Sequence, residues 1–317
     1  MPAFMGPAIS AILLTTTSPM THVATLIAAP GTHLADETVA RARAALPEAT
    51  DTQWLARGVA ADIAFMPPAP ADLRPLTEHL RAALGAVPLD IAVQPLADRR
   101  KGLLVADMDS TMIGQECIDE LADLVGLKAH VSAITERAMR GEIAFEPALR
   151  ERVALLKGLP VSVVGEVIAN RITLMPGARA LIGTMRAHGA HTVLVSGGFS
   201  LFTQEIAEMI GFDENHANTL LVENDVLTGF VEEPILGREA KLDTLLEVAR
   251  YLKLPLAKTI AVGDGANDLA MIGRAGLGVA YHAKPAVAAA AQVRIDHGDL
   301  TALLYLQGYR REEFVAE

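Results

Sequence analysis

The 317-residue chain has a single cysteine, Cys117. An intrachain disulfide and a thiolate zinc cluster are both excluded, and a reducing, cytoplasmic setting is the expectation. Long apolar runs are also missing. None approaches the roughly 20 residues that a bilayer span needs, so no membrane partner is expected. One apolar run, Ala8 to Leu14, lacks a basic flank and leads into threonines, so it does not read as a signal peptide. Basic side chains are in deficit, with 27 Lys and Arg against 38 Asp and Glu. The resulting charge of −11 argues against nucleic acid or an anionic membrane as the main partner. It does not exclude a small anionic ligand, because the field inside a site can oppose the global charge. No internal repeat is present, and the alanine-rich 286–291 is the only biased tract. What remains is a chain 51% apolar and 21% charged, globular and long enough for two domains.

Residues 1–97 read as a separate α+β module. Ala8–Thr16 is β-rich. From His22 the pattern runs strand His22–Ala28, helix Asp36–Leu46, strands Trp54–Val59 and Asp62–Met66, a break at Pro67-Pro68-Ala69-Pro70, helix Leu73–Leu84 and strand Leu89–Val93. This β-α-β-β-α-β order is ferredoxin-like. It contains no cluster of titratable groups, which suits a regulatory or dimerising role and allows a homodimer. The polar bridge Asp98-Arg99-Arg100-Lys101 leads into residues 98–317. There, strands alternating with helices predict a Rossmann-like, doubly wound parallel sheet. Helices over Cys117–Val125, Ala129–Arg140, Glu146–Leu156 and Ser162–Ile172 form a bundle inserted at 112–174, a cap over the strand ends. The alternation resumes with a helix over Pro176–His188, a buried strand Thr192–Val195 and a helix Leu201–Ile210. Thr219–Glu223 and Leu227–Val231 then pair across Asn224-Asp225, with a bulge at Gly229. A helix Lys241–Tyr251, strands Thr259–Val262 and Gly278–Tyr281, and helices after Pro285 and from Leu300 complete the chain.

Leu103-Leu104-Val105-Ala106 is a buried strand that runs straight into Asp107-Met108-Asp109-Ser110-Thr111. Ligand chemistry in open α/β sheets gathers at the carboxyl ends of strands. Two carboxylates about 4 Å apart repel by about 4 kcal/mol at an effective dielectric of 20, so a cation is expected beside them. A hard divalent metal is the natural choice for oxygen ligands. Two further strands end in polar loops. One leads into Ser196-Gly197-Gly198, a hydroxyl and close-approach N–H groups suited to phosphate. The other leads into Gly263-Asp264-Gly265-Ala266-Asn267-Asp268. Lys241, at a helix start, can neutralise phosphate charge. Singly, each of these has an ordinary explanation as a turn or a surface charge; together, in this order, they do not.

These motifs resemble the haloacid dehalogenase-like phosphatases, whose first motif is Asp-x-Asp-x-Thr at a strand end, here Asp107 to Thr111. The others match at Ser196, Lys241 and 263–268. Glu116-Cys117-Ile118-Asp119-Glu120, Met139-Arg140-Gly141-Glu142, Phe145-Glu146 and Leu149-Arg150-Glu151-Arg152-Val153 resemble the helical cap of the phosphoserine phosphatases. The N-terminal module resembles an ACT-like domain. The resemblance implies hydrolysis of O-phospho-L-serine, in serine biosynthesis, through an aspartyl-phosphate. Asp107 is then the nucleophile and Asp109 the acid and base. Mg²⁺ is held by Asp107, the backbone carbonyl of Asp109, and Asp264, with Asp268 next to the metal's ligands. Ser196, Gly197, Lys241 and Asn267 bind the phosphoryl group. Glu116 meets the substrate ammonium and Arg152 its carboxylate, Arg150 is offered as a second basic contact, and Met139 and Phe145 cover the apolar part. Rival readings are another small phosphate ester, or phosphate transfer to an alcohol. A sensor with a vestigial site would have lost Asp107 or Asp109, and both are present.

Overall fold

A computed structural model describes residues 20–68, 73–139, 142–237 and 239–316. The β-rich Ala8–Thr16 segment lies outside them, as do Ala69 and Pro70 of the proline-rich break.

The N-terminal elements are β1 (His22–Ala28), α1 (Asp36–Ala45), β2 (Thr52–Ala56), β3 (Ala60–Phe65), α2 (Leu73–Leu84) and β4 (Leu89–Pro95). They form a four-stranded sheet in the order β2-β3-β1-β4, with every neighbouring pair antiparallel. This is the ferredoxin-like arrangement the pattern predicts. The strand expected over Trp54–Val59 stops at Ala56, because Gly58 turns the chain with φ +74° and β3 starts early at Ala60. Alternation along β1 assigns its two faces. Ala24, Leu26 and Ala28 pack under α1 and α2. Ile27 instead joins Leu55, Ala60 and Ala92 in the main core of the molecule. A sheet covered on both sides explains why β1 is apolar almost throughout.

The second sheet has six strands in the order β12-β11-β10-β5-β6-β7, all parallel. Here β5 is Leu103–Ala106, β6 His191–Phe199, β7 Glu214–Asn218, β10 Thr259–Gly263, β11 Leu277–Tyr281 and β12 Val293–Ile295. Leu103, Val105, Val193, Val195 and Ala261 face α9 (Ala240–Tyr251) and α10 (Leu269–Arg274). Leu104, Ala106, Leu194, Ile260 and Val262 face α7 (Ala178–Ala187), α8 (Ser200–Ile210) and α12 (Ala302–Leu306). All four residues of β5 are fully buried. A buried branched side chain contributes about 1.5–3 kcal/mol, which anchors the central strand.

Between β5 and β6 lie the inserted helices α3 (Cys117–Leu124), α4 (Lys128–Met139), α5 (Phe145–Ala154) and α6 (Ser162–Arg171). The two ends of this insertion meet where Ile113 bridges Leu174 and Met175 N donates to Met112 O at 2.9 Å. A hairpin of β8 (Leu220–Glu223) and β9 (Val226–Val231) turns through Asn224 and Asp225, both with positive φ, and its register shifts opposite Gly229 as expected. The remaining helix, α11, is Pro285–Ala290. No helix among the described residues is long and apolar enough to cross a membrane.

Three differences from the sequence reading stand out. β7 and β12 were not anticipated. β6 does not end at Val195 but continues through Ser196-Gly197-Gly198 to Phe199, with an irregular register against β7.

The two sheets are joined by buried polar contacts. Arg99 donates to both oxygens of Asp62, at 2.5 and 2.8 Å, and to Thr25 Oγ1, Tyr305 O and Leu306 O. Removing one partner of such a pair leaves a buried charge uncompensated. Asp62→Ala should therefore cost about 3–5 kcal/mol in urea unfolding. A loss under 1 kcal/mol would mean that the junction is solvated.

Candidate active site

The chain curls immediately after β5. Thr111, Met112 and Ile113 all donate their N–H groups to Met108 O, and Ser110 adopts φ +58° to permit it. Asp107 continues the face of Leu103 and Val105, the one that looks at α9. From α9, Lys241 reaches in and places Nζ 2.6 Å from Asp107 Oδ1 and 2.6 Å from Asp268 Oδ1. Lys241 is 3% exposed and Asp268 fully buried. Asp268 Oδ2 accepts from Gly265 N at 2.9 Å, so both of its oxygens are engaged by the protein. Gly263 makes this possible: a Cβ there would lie 2.3 Å from Asp268 Cγ. Asp264, also buried, accepts from Thr111 Oγ1 at 3.2 Å.

One oxygen each from Asp107, Asp264 and Asp268 lie within 4.8 Å of one another. Three buried carboxylates offering only oxygen fit a hard divalent cation better than a softer zinc ion, which favours histidine and cysteine. Lys241 touches two of these carboxylates but brings only one positive charge, so the ionised cluster keeps two negative charges that nothing within it balances. The donor set therefore fits such an ion. Asp109 joins this cluster with neither carboxylate oxygen. Its Oδ1 accepts from Cys117 N at 3.3 Å, at the start of α3.

Burial, and after it Asp268, pushes the Asp107 carboxyl up, while Lys241 pulls it down. Burial and then Glu116 raise Asp109 to about 7. Burial and then Asp268 raise Asp264 to about 6. Burial opposes the charge on Lys241, but Asp107 and Asp268 outweigh it and hold the ammonium protonated.

The loop from β6 closes the opposite wall. Ser196 Oγ accepts from Gly198 N at 2.9 Å, and Asp109 Oδ2 lies 3.4 Å from the point a Cβ on Gly198 would occupy. Phe145, at the start of α5, covers Gly197, its Cζ 3.4 Å from the corresponding point there. Asn267 is half-buried, with Oδ1 folded over Gly265. Glu116, just before α3, accepts from Ser110 Oγ at 2.8 Å. Arg152 on α5 donates to Thr135 Oγ1, and Asp119 and Glu116 are its charged neighbours.

Not every expected residue belongs here. Arg150 points elsewhere: it pairs with Glu233 at 2.7 Å and Glu146 at 3.6 Å on the surface, so it is no second basic contact. The side chain of Met139 lies outside the described residues. One contributor was missed. Asn218, buried at the end of β7, donates to Gly197 O at 2.9 Å and accepts from Leu236 N at 2.7 Å. It fixes the Ser196-Gly197 loop, yet its strand, Glu-Asn-His-Ala-Asn, carries no apolar alternation to announce it.

Residues 104–273 match the family model of the haloacid dehalogenase-like hydrolases. The chain is 48% identical over 209 residues to a phosphoserine phosphatase of Polaromonas sp., spanning 64% of this chain and 89% of that one. It is 39% identical over 305 residues to a phosphoserine phosphatase of Mycobacterium tuberculosis, spanning 94% and 74%. A HAD-family hydrolase of Salmonella enterica serovar Typhi superposes with a TM-score of 0.81 at 30% identity, over 90% of this chain and 98% of that one. The chain belongs to the phosphoserine phosphatase family of the haloacid dehalogenase-like hydrolases.

The raised pKa of Asp264 has a thermodynamic consequence. A carboxyl raised on folding carries no penalty below its ordinary value near 3.8 and its full penalty above about 6. With divalent cations chelated, Asp264→Asn should stabilise the protein at pH 8 by up to roughly 3 kcal/mol. The gain should shrink as the pH falls through 6 and vanish near pH 4. Urea denaturation across that range checks it, and a pH-independent effect would contradict the charge argument.

Proposed function

We propose that the chain is a phosphoserine phosphatase, hydrolysing O-phospho-L-serine to serine and phosphate in the cytoplasm as part of serine biosynthesis. The observation that carries the reading is the buried Asp107–Lys241–Asp268 ion triad at a strand end, beside Asp109 and beneath the charged pair Glu116 and Arg152. The relatives from Polaromonas and Mycobacterium, both phosphoserine phosphatases, favour the same substrate.

Asp107 is the nucleophile. The Lys241 ammonium, 2.6 Å away, aims this carboxylate and counters part of the burial that pushes its pKa up. As it bonds to phosphorus, the serine oxygen departs with a proton from Asp109. A water then attacks the aspartyl-phosphate and gives its proton back to Asp109. A pKa near 7 suits a group that must both donate and accept near neutral pH. Ser196, Gly197, Lys241 and Asn267 hold the phosphoryl oxygens, and Asp268 fixes Lys241. Asp107, the carbonyl of Asp109 and Asp264 would hold Mg²⁺, with Asp268 next to the metal's ligands, and the ion would supply positive charge to the phosphoryl oxygens. Glu116 receives the substrate ammonium and Arg152 its carboxylate, for which a guanidinium fork is well shaped. Phe145 and Met139 exclude water above the ester.

This reading divides the chain at residues 97 and 98, with 112–174 as the cap over the phosphatase site. The N-terminal module is ACT-like and regulatory or dimerising. A homodimer through it is supported by β2, which ends its sheet with no further strand beside it among the described residues.

The test is phosphate release from O-phospho-L-serine against a panel of small phosphate esters, with and without Mg²⁺. Strong Mg²⁺-dependent preference for phosphoserine is expected, with Asp107→Asn reducing kcat by at least about 10⁴-fold. Broad ester hydrolysis without that preference would keep the chemistry and overturn the substrate. No release from any ester would overturn both.

A further inference from the structure

Arg152 is held in a way that the proposed substrate contact alone does not explain. Its Nε donates to Ala148 O at 3.3 Å, one turn back on α5. Its Nη1 donates to Thr135 Oγ1 at 3.3 Å, across the gap to α4. The hydroxyl of Thr135 has one proton, and that proton goes to Val131 O at 3.1 Å. Thr135 therefore meets Arg152 as an acceptor, with its orientation set by its own helix. Two of the five guanidinium N–H groups are used, and Nη2 has no hydrogen-bond partner among the described residues. The Nη1–Nη2 edge is the one left to grip a planar carboxylate with two parallel bonds.

The charged surroundings favour the same orientation. Asp119 and Glu116 are the groups that hold charge on the guanidinium against burial. Neither is bonded to it, so no carboxylate among the described residues competes for the open edge. A long, rotamer-rich arginine free to swing would bind carboxylate more weakly, because ordering it on binding has an entropic cost. A neutral tether avoids that cost and adds no rival charge.

We infer that Thr135 is a positioning residue for substrate specificity, locking the guanidinium of Arg152 with its Nη1–Nη2 edge open to the carboxylate of an amino-acid phosphate ester. This rests on the reading of Arg152 as the carboxylate contact, and the test separates the two. The substrates are O-phospho-L-serine and O-phosphoethanolamine, which keeps the ammonium and phosphate but lacks the carboxylate.

Thr135→Val keeps the branched shape and removes the acceptor. It should raise KM for phosphoserine about tenfold with kcat within about twofold, as expected for a lost hydrogen bond to a charged group. The kcat/KM on phosphoethanolamine should stay within about twofold. Thr135→Ala should behave alike, and Thr135→Ser, which restores the acceptor, should recover most of the KM. Arg152→Ala is the control and should erase the preference for phosphoserine. If it does so while Thr135→Val and Thr135→Ala are silent, or lower both substrates equally, the inference about Thr135 is overturned and the reading of Arg152 stands. If Arg152→Ala leaves the preference intact, the carboxylate reading fails and takes this inference with it.

Discussion

The ammonium of Lys241 is the group on which the site's architecture depends. It makes two contacts of 2.6 Å in a place closed to solvent, and each joins it to a different strand-end loop. Taking any of these three charges out of water alone would be prohibitive. Together they are tolerable, because each carboxylate is close to the same cation and Asp268 has a backbone N–H besides. Segments far apart in sequence, after β5, at the head of α9 and after β10, are thereby drawn to one point. The parallel order β10-β5-β6 brings the loops near one another, and the ion triad sets their distances.

That dependence explains what could be read from the sequence. Leu103–Ala106, with both faces buried, is a short uninterrupted apolar run, and its limits are those expected. Asp107, Asp264 and Ser196 stand beside such runs, so the sheet rule brings them to one edge, whereas Lys241 comes from the head of a helix. Segments lacking that signal were lost. β7 is polar along its length, and its inward partner, Asn218, works through hydrogen bonds that leave no periodicity. β12 has only three residues. β6 runs on past Val195 because Ser196-Gly197-Gly198, which reads as a turn, is extended backbone covered by Phe145. Arg150 and Arg152 lie two apart on one helix and therefore face different ways. Spacing alone could not say that one reaches Glu233 at the surface and the other the interior.

The N-terminal sheet is more than an appended module. Asp90 on β4 accepts three successive N–H groups, from Asp296, His297 and Gly298. The loop it holds continues to Leu300, whose N–H donates to Pro176 O, one residue beyond the tie between Met175 and Met112. On its other side, Gly298 O bonds His282 Nε2, and Lys284 N donates to Asp264 O. The 296–300 loop thus rests on the N-terminal sheet, touches the base of the inserted helices, and reaches the backbone of Asp264 through a second segment, 282–284. Asp90 and Gly298 are buried, so displacing the sheet would leave the polar groups that bond them unpaired.

Charge orders the last step of the reasoning. The site joins Asp107 and Asp268 through Lys241, sets Asp264 and Asp109 close by, and has Glu116 acting on both of the latter, with Arg152 beside Glu116, inside a chain that is itself strongly acidic. Lys241 is already shared between two carboxylates, so its single charge cannot by itself also neutralise a phosphate dianion. A phosphate ester can share this space only if further positive charge enters with it or some carboxyl gains a proton. The oxygen-only cluster offers the first route and the raised Asp109 the second. In the proposed function the two act at different atoms, the cluster on the phosphoryl oxygens and Asp109, beside Gly198, on the ester oxygen. An acidic pocket is then no obstacle to an acidic substrate. It makes binding conditional on the same cation and proton that the reaction requires.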